Sequence, residues 1–174
     1  IEITGVEPVV LVEPLKALRK MGAGLRIFGA AGPKARIRMV MERRPAGITI
    51  DTGPYPGFPT DLQSVFLAAE ASGTGESQIR ETVYEARFEA AVRLASFGAD
   101  VSVHGDTAII KGRYPLLPGV VETPDLRGGA ALLVAALSAD GLSVVSDRGH
   151  LKRGYEDIGR DLRILGADIE ENIL

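Results

Sequence analysis

Four side chains stand out by type and setting. Asp61 closes the string Thr52-Gly53-Pro54-Tyr55-Pro56-Gly57-Phe58-Pro59-Thr60-Asp61, and Arg87, Arg127 and Arg153 each fall close to the start of a helical pattern. The prolines and glycines of that string forbid a regular helix or a central strand, so it is a stiff, shaped loop. A carboxylate held on such a loop is placed as a general base must be. Guanidinium forks beside helix N-termini make a site for a carboxylate or a phosphate. Together these residues describe proton abstraction beside a bound anion. The plainer reading makes Asp61 a helix N-cap, worth about 1 kcal/mol. It makes any one arginine a surface ion pair, such as Glu81 or Glu85 with Arg87. Three arginines in equivalent settings favour the anion site.

The elements that must position these residues are repeated. Leu-x-x-x-Gly-Ala ends three helical patterns, at Gly22, Gly98 and Gly166. Thr60-Asp61-Leu62-Gln63 is echoed by Pro124-Asp125-Leu126-Arg127, Gly75-Glu76-Ser77 by Gly141-Leu142-Ser143, and Tyr84-Glu85 by Tyr155-Glu156. Echoes kept in one order define a repeated unit. Each unit reads as a loop, an Asp-capped apolar helix, a short strand (77–81; 142–146), a second loop, an amphipathic helix and a glycine C-cap before the next strand. Residues 62–71 and 130–138 are apolar on nearly every side and predict buried helices, whereas 85–97 and 156–165 have the alternation of surface helices. Strands 100–103 and 107–111 flank the turn His104-Gly105-Asp106, with a matching pair at 25–28 and 37–41. The expected fold is α/β: repeated βαβαββ units with inner buried helices and outer sheets, the first unit incomplete. One domain spans 1–174, with a partial first repeat at about 1–52, a second at about 53–113 and a third at about 114–174 that stops before its hairpin is complete. The opening Ile1-Glu2-Ile3 lies within a strand pattern and reads as the start of a fragment or processed product.

Composition narrows the chemistry. The 174 residues are 45% hydrophobic and 25% charged, with a net charge of −3, an ordinary globular balance. That charge makes no general case for nucleic acid or an anionic membrane surface. The chain has no cysteine, hence no disulfide or thiolate chemistry, and its two histidines, His104 and His150, lack zinc-motif spacing. His150 reads as a structural hydrogen-bonding group rather than a proton shuttle. Gly73-Thr74-Gly75 is not a phosphate loop, because no Gly-Lys-Ser/Thr follows. No apolar run reaches the roughly 18 residues that span a bilayer, and no signal peptide opens the chain, so a cytoplasmic location is expected.

The string Thr52 to Gln63 resembles the signature loop of the enolpyruvyl transferases. The runs Glu81-Thr82-Val83-Tyr84-Glu85-Ala86-Arg87-Phe88, Asp125-Leu126-Arg127 and His150-Leu151-Lys152-Arg153-Gly154-Tyr155-Glu156 resemble further motifs of that family. The likeness covers essentially the whole chain and implies the family's inside-out barrel domain, three βαβαββ units packed around inner helices. The wording Pro56-Gly57-Phe58-Pro59-Thr60-Asp61-Leu62-Gln63 is most similar to members that use UDP-N-acetylglucosamine as acceptor. Members acting on shikimate 3-phosphate, and a non-catalytic nucleotide-sugar-binding domain, are the alternatives.

The resemblance implies phosphoenolpyruvate and UDP-N-acetylglucosamine as substrates, no cofactor and no metal, in the first committed step of peptidoglycan synthesis. It makes Asp61 the base that accepts the sugar hydroxyl proton. Arg87, Arg127 and Arg153 bind the carboxylate and phosphate of phosphoenolpyruvate, with Arg153 counted among the catalytic groups. Val83, by its backbone, and Tyr84 match positions that contact the N-acetylglucosamine moiety. The resemblance also implies a partner, the N-terminal domain of the same enzyme, which carries a Lys-Asn pair and a mobile Cys-bearing loop not found in this sequence. The chain alone is therefore expected to be inactive, one half of a cleft that closes on substrate. Ala86, Gly149 and Lys152 depart from the family's Asn, Tyr and Asp, and Gly128-Gly129 from its Ala-Ser. The extra glycines are expected to loosen the anion site. A helix N-terminus lowers the pKa of Asp61 and desolvation raises it; sequence alone does not rank the two.

Overall fold

The computed structural model describes residues 1–29, 32, 35–85 and 87–171. Its strands form three sheets. The first has the order β1 (Glu2–Thr4), β3 (Arg36–Val40), β2 (Gly24–Phe28), all antiparallel, with α1 (Val12–Lys20) between β1 and β2 in sequence. In the second, β4 (Thr49–Asp51) pairs parallel with β5 (Glu76–Arg80), which pairs antiparallel with β7 (Thr107–Lys111) and so reaches β6 (Asp100–His104). The third is the parallel pair β8 (Val120–Glu122) and β9 (Val144–Ser146). The connectivities correspond: β1–α1–β2–β3 repeats the last four steps of β4–α2–β5–α3–β6–β7, and β8–α4–β9–α5 repeats the first four. The helices of these units are α2 (Gln63–Ala71), α3 (Glu89–Arg93), α4 (Leu126–Leu137) and α5 (Ile158–Ile164).

Parallel neighbours require a crossover, and here each crossover is a buried helix. Helices α2 and α4 lie against one another at the centre, behind the sheets. Ala68, Ala71, Ala131 and Ala135 have no solvent-exposed surface, so two small-residue faces permit a close approach. Phe66, Leu67, Ile79, Leu94, Phe97, Ile110, Leu116 and Leu132 complete the core, reached from both helices and from the inner faces of the strands.

The hairpin 107–111 and its partner stand where the alternation places them, and Gly22, Gly98 and Gly166 adopt the positive φ angles of helix C-caps. Three helix starts differ from the expectation. The pattern 85–97 resolves into α3 at Glu89–Arg93 and a 3-10 turn at Leu94–Phe97, because the N–H groups of Val83 and Tyr84 are bound by the Glu81 side chain and hold residues 82–85 in a loop. The pattern 156–165 begins at Ile158, where Asp157 caps the Arg160 N–H. Conversely α4 begins at Leu126, earlier than 130, because Asp125 accepts the N–H groups of Arg127 and Gly128. Among the described residues no strand follows α5.

Candidate functional site

The proline-rich loop is a closed, anchored structure. Gly53 N–H donates to Phe58 O and Gly57 N–H to Pro54 O, at 2.9 and 2.7 Å. A Cβ on Gly57 would lie 2.8 Å from Pro54 O, so only glycine fits this turn. Phe58 is buried and packs edge-on against Phe66 of α2, ring centroids 5.0 Å apart. The loop then enters α2 through a 3-10 turn, Thr60–Leu62.

Asp61 sits in that turn and makes no cap. Its Oδ1 accepts from Arg127 Nε at 2.5 Å and from Arg87 Nη1 at 3.3 Å. Its side chain is 60% exposed, so the carboxylate faces solvent on one side and two guanidinium groups on the other. The hydrogen bond and charge of Arg127, with those of Arg87, hold the Asp61 carboxyl below the usual aspartate range despite partial burial. Asp61 is thus ionised at neutral pH, and the same pairing raises Arg127 further. Desolvation does raise the Asp61 pKa as expected, but what overcomes desolvation is the pair of arginines rather than the helix N-terminus.

Arg87 lies in the loop before α3 and is only 19% exposed. Its Nη1 also donates to Thr60 Oγ1 at 2.6 Å, and its guanidinium lies over the Tyr84 ring, 4.2 Å from the centroid. Its ion pair is with Asp61, and among the described residues it makes none with Glu81 or Glu85. Arg127 is the second residue of α4, next to the Asp125 cap. Arg153 ends the 3-10 turn Leu151–Arg153, which packs on α4 with Leu151 against Gly129. Arg153 is exposed, and its guanidinium makes no ion pair or hydrogen bond among the described residues. The structure therefore brings Asp61, Arg87, Arg127 and Tyr84 into contact, while Arg153 stands beside the same end of α4 without joining the network. The Val83 N–H is engaged by Glu81, and the Tyr84 side chain is 55% exposed.

The glycine pair does not loosen the site. A Cβ on Gly128 would approach Pro124 Cγ to 2.5 Å, and one on Gly129 would approach Leu151 Cδ2 to 2.9 Å. Both glycines are buried, and their bareness lets the flanking loops close onto α4. Gly149 has φ 90°, a conformation that a tyrosine adopts only with strain, so this loop follows its own course. Lys152 is exposed. Ala86 lies outside the described residues. The hydrogen bonds of His150 are made by its backbone: the N–H donates to Asp147 and the carbonyl accepts from the Arg153 N–H.

Sequence reasoning missed the groups behind the arginines. Thr60 and Glu81 were read as loop and ion-pair residues, yet Glu81 is 4% exposed and accepts from four donors, Thr52 and Thr60 Oγ1 and the Val83 and Tyr84 N–H groups. No common spacing marked it: Thr52 and Glu81 are 29 residues apart, whereas the corresponding Thr123 and Asp147 are 24 apart. Among the described residues no cluster of three or more His, Asp or Glu side chains could hold a metal, and no helix is long and apolar enough to cross a membrane.

The site is thus a carboxylate flanked by two guanidinium groups where α2 and α4 begin, in an α/β domain. The chain belongs to the EPSP synthase (3-phosphoshikimate 1-carboxyvinyltransferase) family, whose model matches residues 1–162. It is 41% identical over 160 residues to UDP-N-acetylglucosamine 1-carboxyvinyltransferase 3 of Symbiobacterium thermophilum, covering 91% of this chain and 37% of the relative. It is 42% identical over 170 residues to UDP-N-acetylglucosamine 1-carboxyvinyltransferase of Coprothermobacter proteolyticus, covering 98% and 39%. Among solved structures, the enolpyruvyl transferase NikO from Streptomyces tendae superposes with a TM-score of 0.82 at 30% identity, covering 97% of this chain and 39% of that one. EPSP synthase from Acinetobacter baumannii, at 19% identity and a TM-score of 0.76, shares the fold, covering 98% and 42%. The chain spans well under half the length of these relatives.

Proposed function

We propose that this chain is the Asp-bearing part of a transferase that moves the enolpyruvyl group of phosphoenolpyruvate to the 3′-hydroxyl of UDP-N-acetylglucosamine, in the cytoplasm, at the first committed step of peptidoglycan synthesis. The observation that carries the reading is Asp61 held between Arg87 and Arg127. The names of the curated relatives favour the nucleotide-sugar acceptor over shikimate 3-phosphate. The three sheets and two central helices are read as one domain of repeated βαβαββ units, the second complete and the first and third partial.

The chemistry follows from the arrangement. In the ligand-free chain Asp61 itself satisfies the two arginines. An incoming substrate carboxylate or phosphate competes for those guanidinium groups, with Arg153 as a third cation beside them. Release from Arg127 raises the basicity of Asp61 at the moment the acceptor hydroxyl is in place. The hydroxyl oxygen bonds to C2 of phosphoenolpyruvate, Asp61 takes the hydroxyl proton, and C3 gains a proton from a group outside this chain. The tetrahedral adduct then loses a C3 proton and its C2–O bond to phosphate, restoring the double bond and releasing inorganic phosphate. The arginines stabilise the anionic adduct and leaving group. Val83 and Tyr84 are assigned to the sugar side of the site.

The test is phosphate release from phosphoenolpyruvate by this chain alone and after joining it to the remaining length of a full-size relative. Release only in the joined protein, dependent on UDP-N-acetylglucosamine, is expected. Dependence on shikimate 3-phosphate instead would replace the acceptor, and release by neither would overturn the reading.

A further inference from the structure

Two parallel strand pairs of the molecule end in the same clamp. Thr52 follows β4, and its Oγ1 donates to Glu81 Oε1 at 2.9 Å, just past β5. Thr123 follows β8, and its Oγ1 donates to Asp147 Oδ1 at 2.6 Å, just past β9. Each carboxylate then accepts main-chain N–H groups of the loop ahead of it. Glu81 takes Val83 and Tyr84, and Asp147 takes Gly149, His150 and Leu151. Neither makes an ion pair among the described residues, so each is an anion satisfied by hydroxyl and backbone donors alone.

Glu81 has one connection that Asp147 lacks. Its Oε2 accepts from Thr60 Oγ1 at 2.8 Å, and Thr60 Oγ1 accepts from Arg87 Nη1 at 2.6 Å. A hydroxyl has one proton, so giving it to Glu81 turns the Thr60 lone pairs toward Arg87. Arg87 then reaches Asp61, the next residue along. The order of donation, Arg87 to Thr60 to Glu81, is fixed by Glu81 being an acceptor at both oxygens.

Resting on the enolpyruvyl-transfer reading, we propose that Glu81 is a positioning residue that, through Thr60, orients Arg87 against Asp61 and the substrate anion. Glu81 touches no substrate. Burial works against its charge, but the hydrogen bonds from Thr60, Val83, Tyr84 and Thr52 outweigh it and keep the acceptor ionised. Asp147 is the internal control: the same clamp without the relay.

The test uses the full-length enzyme with phosphate release as readout, across pH. Glu81→Gln places an amide donor where Thr60 needs an acceptor and reverses the relay. Thr60→Val breaks it while leaving the other donors to Glu81 in place, which covers the case where Glu81→Gln fails to fold. Both are expected to lower kcat/KM for phosphoenolpyruvate about tenfold. Both are also expected to move the acid limb of the pH profile upward by roughly half a unit or more, because Asp61 loses the hold of Arg87. Thr60→Ser restores the hydroxyl and is expected to recover most of the loss and return the acid limb toward the parent. Asp147→Asn is expected to leave the acid limb in place. A folded Thr60→Val enzyme with kcat/KM within about twofold of the parent and an unmoved acid limb would overturn the proposal. A parent enzyme that releases no phosphate would overturn the reading beneath it and the proposal with it.

Discussion

In the unit from β4 to β7, the carboxylate ahead of the buried helix is Asp61, which makes no cap and turns to Arg87 and Arg127. In the unit from β8 to α5 its counterpart is Asp125, which accepts the Arg127 and Gly128 N–H groups and makes no ion pair among the described residues. The scaffolds around them match. Each unit has a Thr–carboxylate clamp, and each has a serine whose Oγ accepts an N–H from the strand segment before it: Ile48 to Ser77, and Gly119 to Ser143. The difference shows how one step of a repeat is a helix cap in one copy and an arginine-paired carboxylate in the other. The two copies are also coupled, since Asp125 fixes the helix start that carries Arg127, the strongest partner of Asp61.

A second contrast lies inside. Ser77 Oγ donates to Glu70 Oε2 at 2.7 Å, whereas Ala136 stands at the same distance before Ser143 in sequence. Glu70 is 1% exposed, its Oε1 has no partner, and burial pushes its carboxyl up to about 7 although Ser77 opposes the shift. A folded pKa raised above the ordinary 4.5 means that the folded state holds this proton more tightly than the unfolded one. The Glu70 contribution is therefore most favourable below about pH 4.5 and declines as pH rises to about 7, beyond which it is flat.

These contrasts can be broken or sharpened in order of effect. Asp61→Asn in the full-length enzyme is expected to lower kcat by about a thousandfold while changing substrate KM little, measured by phosphate release. Arg127→Lys keeps the charge but loses the fork, and is expected to lower kcat/KM for phosphoenolpyruvate by about a hundredfold. Glu70→Gln makes the first helix resemble the second. It is expected to stabilise the protein at pH 8 by up to about 3 kcal/mol and to flatten the stability slope between pH 4.5 and 7, read from denaturant midpoints. Asp125→Ala removes the cap that Asp61 does not make, and is expected to cost about 1 kcal/mol in the same measurement. An equal stability loss on Asp61→Ala would erase the distinction between the two positions.

What could be read from sequence follows the range of the interactions. Gly22, Gly98 and Gly166, the loop through Phe58 and the apolar helix α2 are set by neighbours a few residues away and stand where the patterns place them, while α4 lies on its apolar run but starts early, at the Asp125 cap. Pairing of Asp61 with Arg127 spans 66 residues and needs α2 packed on α4, so spacing alone could only suggest it. The Glu81 relay was not legible, because its donors come from Thr52, Thr60 and the backbone of a loop it shapes itself. Helix starts at Glu89 and Ile158 were misjudged for the same reason: a side chain upstream had already claimed the N–H groups, or a later aspartate supplied the cap. Gly128 and Gly129 appear flexible in a sequence and are close-packed in three dimensions.

The central claim is that Asp61 is an ionised base kept in check by Arg87 and Arg127 until an anion takes them. The most direct measurement is an NMR titration of the Asp61 carboxyl carbon in this chain, without and with saturating phosphoenolpyruvate. The account expects a pKa below the ordinary 3.8 in the free chain and an upward shift once the ligand occupies the arginines. A pKa at or above 3.8 in the free chain, unchanged by the ligand, would contradict it.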